Sequence, residues 1–466
     1  MAGYLDKLYK YAPVLVQHMM VSAYGYYWRR LRFGGKFQQE YQAFCDRERF
    51  SAEEWQQYTQ NQLRALLVSA FTQAPYYTQA WKGLVTVQQL EKFTLADLPS
   101  LPPVEKSAIR DNPRDFLIGG QPQKKHLVFH TSGSTGTPVA TYWLPSELQR
   151  SLAMREARSC KFAGVSFKVP RATFSGRIVE PNPESRGPFY RYNTAENQVY
   201  FSAFHLRPDT VKIYLHALKR HNIVWFTGYS NSIYQLAQMA LDQGLEIPKL
   251  KAVITTSEKV TAEMRDVIER AFSTQVYEEY GTVEDSSYVC ENEFGQKLIS
   301  PDAGVLEIVD ETFQPVPVDQ QGEVLVTGFI RRNQPLIRYR LGDVATMSSE
   351  TPHCGRNMPV LQEVIGRIED TIIGPDGRRM VRFHGIFVDQ PHVREGQIIQ
   401  EQIDHIRVRV VPKAGFSEAD EQDIMNRIQQ RLTTDMRVTV ERVEHIERTA
   451  SGKFQAVISR LQSTYH

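Results

Sequence analysis

Between Ser51 and Phe71 the apolar residues fall at helical spacing. Trp55, Tyr58, Leu63, Leu66, Leu67 and Phe71 recur so as to line one face. Ser51 and Glu54, three residues apart, form a capping pair at the start. Ala74-Pro75 closes the segment, because proline cannot donate to a continuing helix. Residues 1–82 therefore read as a mostly helical opening. Leu98 to Pro113 is a proline-broken connector running into a short helix. Further upstream, Tyr11 to Trp28 is apolar, with no formal charge apart from His18, and Arg29, Arg30 and Arg32 follow it. Its Pro13, Gln17, His18, Ser22, Gly25 and four tyrosines make it a poor spanning helix. The expectation is a buried N-terminal helix, with an interfacial helix bordered by aromatic and basic residues as the alternative.

From Leu127 the period changes to short strands alternating with helices. VFHTSGSTGTPVATYWL reads as strand, Gly-rich loop, strand. NIVWFTGYSNSIYQLAQMAL reads as a strand, a turn at Gly228 and a helix. LKAVITTSEKVTAEMRDVIERAF repeats that pattern, and VYEEYG is a further strand. Repeated units of this kind predict a mainly parallel sheet with helices on its faces. Ligands in such folds bind beyond the carboxyl ends of the strands, so the loops after Phe129, Phe226, Ile254 and Val276 are the suspects. From Ala303 the pattern turns strand-rich (GVLEIVD, GEVLVTGF, PLIRYRLGDVATM), which predicts an antiparallel or barrel-like section. After Glu369 a strand, an amphipathic helix and a strand (IDHIRVRVVP, EADEQDIMNRIQQRL, RVTVERVEHI) predict a small α+β domain. The expected organisation is an α/β protein of two domains, residues 1–368 and 369–466.

Charge and composition narrow the function. The chain of 466 residues carries 55 Lys+Arg against 53 Asp+Glu, a formal +2. That balance argues against a sequence-independent nucleic-acid binder, which needs a basic face to displace counterions. The four cysteines, Cys45, Cys160, Cys290 and Cys354, form no CxxC pair. A disulfide framework is not expected, and a reducing compartment is. The first residues show no secretory signal pattern.

Five segments carry candidate chemistry. Thr131-Ser132-Gly133-Ser134-Thr135-Gly136-Thr137-Pro138 offers close backbone N–H approach and hydroxyl donors, which suits a phosphate. It is not a Walker A loop, and an ordinary exposed turn has the same composition. Tyr280-Gly281-Thr282-Val283-Glu284-Asp285 follows an apolar strand, and a carboxylate there can hold a hard cation or simply be solvated. In PLIRYRLGD, Asp343 beside Gly342 at a strand end can accept two hydroxyls, as from a ribose, and the arginines can fork onto phosphate or carboxylate. Otherwise the segment is a structural turn with an Arg–Asp pair. Gly366-Arg367-Ile368-Glu369-Asp370 sits where the texture changes. Thr449-Ala450-Ser451-Gly452-Lys453 puts a lysine on a Gly turn near the C-terminus. That lysine has a chemical use only if a small domain brings it over the large one.

In this order and spacing the five segments resemble the adenylate-forming superfamily. The wording of PLIRYRLGD, of Cys354-Gly355-Arg356 and of VIGRIEDTII is similar to its phenylacetate–CoA ligase family. GQIIQEQIDHIRVRVVP and VEHIERTASGKF, with the helical opening, resemble the CapK-like branch associated with capsule and exopolysaccharide genes. The resemblance spans nearly the whole chain. It implies a large N-terminal adenylate-forming domain and a mobile C-terminal lid. It also implies ATP-dependent activation of a carboxylic acid with Mg²⁺, followed by transfer to CoA.

The resemblance also assigns roles. Thr131, Ser132, Gly133, Ser134, Thr135 and Gly136 would cradle the β- and γ-phosphates. Glu284 would hold Mg²⁺. Tyr280, Gly281 and Thr282 would lie near the adenine and acyl phosphate, and Ser257 and Glu258 would border the adenine. Asp343 would bind the ribose, Arg367 the ribose or phosphate, and Lys453 the reacting carboxylate and phosphate. Glu369 takes the hinge position, where Asp is more frequent. Val139 stands where many members have a lysine after the phosphate loop. Some relatives carry a structural zinc near Cys354. Cys290 and Cys354, with His353 or His205, are the candidates here, one cysteine short of the family's pattern, and small core residues are the plainer reading. Trp225, Phe226 and Tyr229 are expected in the wall of the acid pocket or in the core. His205 is expected against the acid or as a packing histidine.

The implied partners are a small carboxylic acid, ATP and CoA. The implied setting is the cytoplasm or the inner face of the membrane, with a place in polysaccharide biosynthesis or aryl-acid metabolism. Two alternatives share the fold: an amide ligase decorating a polysaccharide precursor, and an inactive scaffold in a polysaccharide-assembly complex. Retention of Glu284, Asp343, Arg367 and Lys453 argues against the scaffold.

Overall fold

The computed structural model describes residues 8–131, 139–175, 177–182, 185–367, 372–375, 379–380, 386–387, 390–432, 435–448 and 454–461. The helical opening runs beyond residue 82, through α1 (Val14–Phe33), α2 (Phe37–Arg47), α3 (Ala52–Gln73), α4 (Pro75–Ala80), α5 (Val87–Lys92) and α6 (Lys106–Asp111). The start of α3 is as its sequence predicts. The Glu54 N–H donates to Ser51 Oγ at 3.2 Å, and the Ser51 N–H donates to Glu54 Oε2 at 2.8 Å. Trp55, Leu63, Leu66 and Leu67 face inward and are buried. Pro75 ends α3 and then serves as first residue of α4, where its missing N–H costs nothing.

The chain divides into two compact units, Met1–Leu341 with Thr346–Glu363, and Gly342–Ala345 with Val364–His466. In the larger unit, β1 (Leu127–His130) and β2 (Ala140–Trp143) pair as an antiparallel hairpin. Then come α7 (Pro145–Arg155), β3 (Arg171–Phe174), β4 (Tyr190–Asn193), β5 (Gln198–Phe201), α8 (Val211–Arg220), β6 (Trp225–Tyr229), α9 (Ser230–Asp242), β7 (Ala252–Thr256), α10 (Ala262–Phe272) and β8 (Val276–Gly281). Strands β5, β3, β6, β7 and β8 lie side by side and parallel, with β4 antiparallel at the outer edge.

Among its described pairings the strand-rich section is antiparallel. It supplies β9 (Tyr288–Glu291), β10 (Lys297–Ile299), β11 (Gly304–Val309), β12 (Gln321–Gly328), β13 (Tyr339–Met347) and β14 (Val360–Arg367). These strands continue the same sheet, in the order β11-β12-β13-β14-β10-β9-β8. The boundary between the two units runs through β13 and β14.

Strand alternation sorts the parallel core into two layers. Phe226 joins Phe174, Phe201, Tyr214 and Phe272 on one face of the sheet. Trp225, its neighbour in sequence, joins Cys160, Phe167, Ile254 and Tyr277 in a separate cluster. Gly228 is not a turn residue, as its sequence predicts, but lies inside β6 at φ +128°. A Cβ there would sit 1.9 Å from the Phe174 carbonyl oxygen, so this glycine permits the close approach of β6 to β3.

The smaller unit has its own sheet. β15 (Ile372–Ile373) and β16 (Arg379–Met380) pair antiparallel. β17 (Val393–Gln402), β18 (His405–Pro412), α11 (Glu418–Arg431), β19 (Arg437–Arg442) and β20 (Val457–Ser459) follow, with strand order β19-β18-β17-β20. β18 and β19 are parallel, joined by α11, the β-α-β run that the periodicity predicts. Ile398, Ile406, Val408, Val410, Ile424 and Ile428 form its core. Among the described residues, no helix is long and apolar enough to cross a membrane.

Candidate active site

The strands bring three suspect loops to one edge. Tyr229 ends β6 opposite Thr256 of β7, and Thr256 pairs with Glu279 of β8. Ser257, just past β7, sits in the left-handed region at φ 71°, and Tyr280 and Gly281 close β8. Glu258 already has work in the fold. Its Oε2 accepts the Asn231 N–H at 3.0 Å and the Ser230 hydroxyl at 3.4 Å, at the first turn of α9. A carboxylate there satisfies orphan amides and the positive end of the helix.

The Ser/Thr/Gly loop joins β1 to β2. Its ends are tied together by the Thr131 N–H donating to the Val139 carbonyl at 3.1 Å and the Val139 N–H donating to Thr131 Oγ1 at 3.0 Å. Ser132, Gly133, Ser134, Thr135 and Gly136 lie outside the described residues. Thr131 is thus partly spent in closing the hairpin.

Glu284 is the centre of a buried polar cluster. It follows a turn in which the Asp285 N–H donates to the Thr282 carbonyl at 3.0 Å. Glu284 is only 4 % exposed, and its Oε1 accepts the Tyr339 hydroxyl at 3.1 Å. Its carbonyl oxygen accepts Arg331 Nε at 2.7 Å and Ser286 Oγ at 3.2 Å. Arg331 Nη1 donates to Gln334 Oε1 at 2.7 Å, and the same oxygen accepts the Tyr142 N–H of β2 at 3.0 Å. The guanidinium lies 5.3 Å from the centre of the Trp143 ring. Through Arg331 and Gln334 the turn that carries Glu284 is therefore fastened to the strand leaving the hydroxyl-rich loop.

The electrostatics of this cluster follow from its burial. Desolvation holds Arg331 below its ordinary pKa, against the opposing charges of Glu147, Glu284 and Asp285. Desolvation pushes the Asp285 carboxyl up to about 6, against a hydrogen bond from Ser151 and the charges of Arg331, Arg155 and Arg150. Burial, then the charge of Glu284, raises Tyr339 and keeps its phenol a proton donor. A buried carboxylate held on one oxygen, on a residue whose backbone carbonyl is also fixed, is an oxygen donor of the kind a hard cation takes.

Tyr339 and Arg331 were not among the sequence-derived candidates. Tyr339 lies inside PLIRYRLGD, where strand alternation already sets it apart from the arginines on either side. Arg331 had no local signal. The two arginines of that motif are structural and are not forks for a ligand. Arg338 reaches both oxygens of Glu307 at 3.2 and 3.3 Å and the carbonyls of Leu101 and Phe313, each at 2.6 Å. Arg340 is bidentate on Glu323, at 2.8 Å twice. Asp343 is not at a strand end but within β13, after Gly342 at φ 77°, and it is buried. Arg367 ends β14. Glu369 and Lys453 lie outside the described residues.

The expected pocket wall is reduced. Trp225 and Phe226 sit inside the core rather than at its edge, at 1 % and 0 % exposure, and Trp225 Nε1 donates to the Ser166 carbonyl at 3.1 Å. His205 is buried with both ring nitrogens engaged, by Ser202 Oγ at 2.8 Å and the Asn182 carbonyl at 2.9 Å, and stacks on Phe189. Tyr229 alone of the four ends at the strand edge. Two surface hollows of about 350 and 330 Å³, beside α3 and between α2 and Lys161, touch none of these residues. Cys290 is in an apolar core cluster, and Cys354 Sγ accepts a hydrogen bond from Asn292 Nδ2 at 3.3 Å. Among the described residues, no three His, Cys, Asp or Glu side chains are grouped to hold a metal.

Comparison with known proteins fits this layout. Residues 372–460, all within the smaller unit, match the CapK C-terminal domain family. The chain is 25 % identical over 473 residues to Protein CapK of Staphylococcus aureus, covering 98 % of this chain and 100 % of that one. The chain is a relative of CapK. It is also 21 % identical over 342 residues to a phenylacetate-coenzyme A ligase of Thermus thermophilus, covering 67 % of this chain and 70 % of the other. Its fold is that of the adenylate-forming CoA ligases. The crystal structure of 2-hydroxyisobutyryl-CoA ligase in the postadenylation state, in complex with R3-HIB-AMP, superposes with a TM-score of 0.68 at 23 % identity. That match covers 89 % of this chain and 91 % of the other.

Proposed function

We propose that this protein joins a carboxylic acid to an acceptor in two steps. The acid's carboxylate oxygen attacks the α-phosphorus of ATP and pyrophosphate leaves, giving an acyl-adenylate. The thiol of CoA, as thiolate, then attacks the acyl carbon and AMP leaves. The observation that carries this reading is the fastening of the buried Glu284 turn, through Arg331 and Gln334, to the strand that leaves the Ser/Thr/Gly loop. A phosphate cradle and a cation-holding carboxylate need a fixed separation for nucleotidyl transfer, and bracing of this kind supports the reading. Relatives named as phenylacetate-coenzyme A ligases, and a like-folded ligase solved with an acyl adenylate, point the same way.

In this proposal Thr131 to Gly136 hold the terminal phosphates, Glu284 holds Mg²⁺, and Tyr339 orients that carboxylate. When bound, Mg²⁺ would neutralise charge on the phosphates. Ser257, Tyr280, Gly281 and Thr282 border the nucleotide, and Tyr229 borders the acid. Glu258 contributes by fixing the loop to α9. Asp343 takes the ribose hydroxyls, and Arg367 takes ribose or phosphate. Residues 369–466 act as a lid turning at Glu369, which delivers Lys453 to the reacting oxygens and excludes water. The polysaccharide setting rests on the CapK name alone.

The test is ATP–pyrophosphate exchange over a panel of aryl, fatty, amino and uronic acids, with Lys453→Ala as control. Exchange with one acid class, lost in the variant, is the expected result, and CoA and amines are then compared as acceptors. Folded protein that binds no ATP would refute the proposal and favour the scaffold.

A further inference from the structure

Helix α1 is amphipathic the wrong way round. His18, Ser22, Arg29 and Arg32, with Gly25 among them, lie on one face of the helix and turn toward the protein. His18 Nδ1 accepts the Tyr192 N–H at 2.9 Å. Ser22 Oγ donates to the Tyr192 carbonyl at 3.3 Å and accepts the Thr194 N–H at 3.1 Å. Arg29 donates to the Ala195 carbonyl at 2.8 Å, and Arg32 pairs with Glu196 at 3.2 Å. Gly25 lies so close that a Cβ would sit 2.1 Å from Asn193 Oδ1. His18 and Ser22 satisfy the open edge of β4, the last strand of the sheet, while Ser22, Arg29 and Arg32 tie down the turn that follows it.

Many of the large apolar residues of this segment consequently face outward, while Trp28 and Phe33 pack against the protein. Tyr11, in the helical turn before α1, is 80 % exposed, followed by Leu15 at 73 %, Met19 at 65 % and Tyr26 at 61 %. Eight of the fifteen exposed large hydrophobic side chains among the described residues fall between Leu8 and Tyr27. That concentration is not the scattered exposure normal for a soluble surface. Charge accompanies it. From Leu8 to Gln39 there is no Asp or Glu, but there are Lys10, Arg29, Arg30, Arg32 and Lys36.

We propose that the outer face of α1 docks the protein on a membrane surface containing anionic lipid, with the helix lying flat in the interface. Exposed tyrosines and aliphatics between basic ends are what that environment takes. A helix of 20 residues gives a contact about 30 Å long. A second copy fits less well. Two-fold pairing of this face would set Lys10 and Arg30 of one copy among those of the other, with no acidic residue on the helix to pair with them.

The test is co-sedimentation of the full chain with phosphatidylcholine vesicles, with and without about a third phosphatidylglycerol. Binding to the mixed vesicles is expected. The triple variant Tyr11→Ser, Leu15→Ser, Met19→Ser should lower it at least about tenfold, since apolar burial supplies much of the binding. Lys10→Gln with Arg30→Gln should remove the preference for anionic vesicles, and it reads the proposal even if the triple variant folds poorly. Wild-type protein that ignores mixed vesicles would overturn it, as would variants that bind like wild type. So would a wild-type dimer that the triple variant disperses without any vesicle binding, which would make this face an interface between copies.

Discussion

Replacing Tyr339 by phenylalanine tests the Glu284 cluster with little steric disturbance. Tyr339 is fully buried, and its hydroxyl lies 3.1 Å from Glu284 Oε1. Phenylalanine keeps the ring and removes only the donor. A hydrogen bond to a charged group contributes about 1.5–3 kcal/mol, and water cannot easily replace it at a carboxylate this buried. The expected loss is about 2 kcal/mol, or about 3 °C in melting temperature for a unit of this size. If Glu284 holds Mg²⁺, a carboxylate without its orienting partner binds the ion more weakly, by roughly tenfold. The assay is therefore paired: thermal melting without nucleotide, and pyrophosphate exchange as a function of Mg²⁺ concentration. Tyr339→Phe should melt lower and need about ten times more Mg²⁺ for half-maximal exchange, with exchange recovering at saturation. Wild-type melting together with wild-type Mg²⁺ dependence would refute both the energetic estimate and the role given to Glu284.

Three further outcomes follow from other parts of the chain. Lys453→Ala should lower exchange by at least about a hundredfold while leaving the melt unchanged, since the proposal gives it charge stabilisation in the first step only; undiminished exchange would remove it from the chemistry. Gly228→Ala should cost about 3 kcal/mol or more, because its Cβ would meet a backbone carbonyl at 1.9 Å that cannot move without parting β3 from β6; a urea melt like wild type would contradict the close approach. His221, stacked on Tyr192 at 4.1 Å, is held down to about 4 by burial and by the charges of Arg220, His18 and His216. Below its ordinary value near 6.5 the unfolded chain takes up a proton that the native chain refuses, so stability falls as pH drops from about 6.5 to 4. After solvent screening that is about 1 kcal/mol, which His221→Gln should remove in melts across that range.

Some of this protein was written locally. The Ser51–Glu54 cap, the stripe along α3, the strand VYEEYG and the β18-α11-β19 run depend on contacts within a few residues, so spacing sufficed. The order of the five chemical segments is also legible in the sequence, and it carries the resemblance. What each candidate side chain does was decided elsewhere. Trp225 and Phe226 differ by one position yet enter separate core clusters, because the sheet is covered on both faces. Arg338 and Arg340 meet Glu307 and Glu323 because β11 and β12 pass beside their segment. Glu284 meets Tyr339 across 55 residues of sequence, and Tyr142 is tied to the same cluster through Gln334 across 192. The apolar run from Tyr11 to Trp28 predicts a buried helix, but the open edge of β4 needed hydrogen-bond partners and took the face that carries His18 and Ser22. Local patterns specify elements because propensity and capping are near-neighbour energies. Which groups pair across the fold depends on strand order and on which edges must be satisfied, and those are properties of the assembled structure.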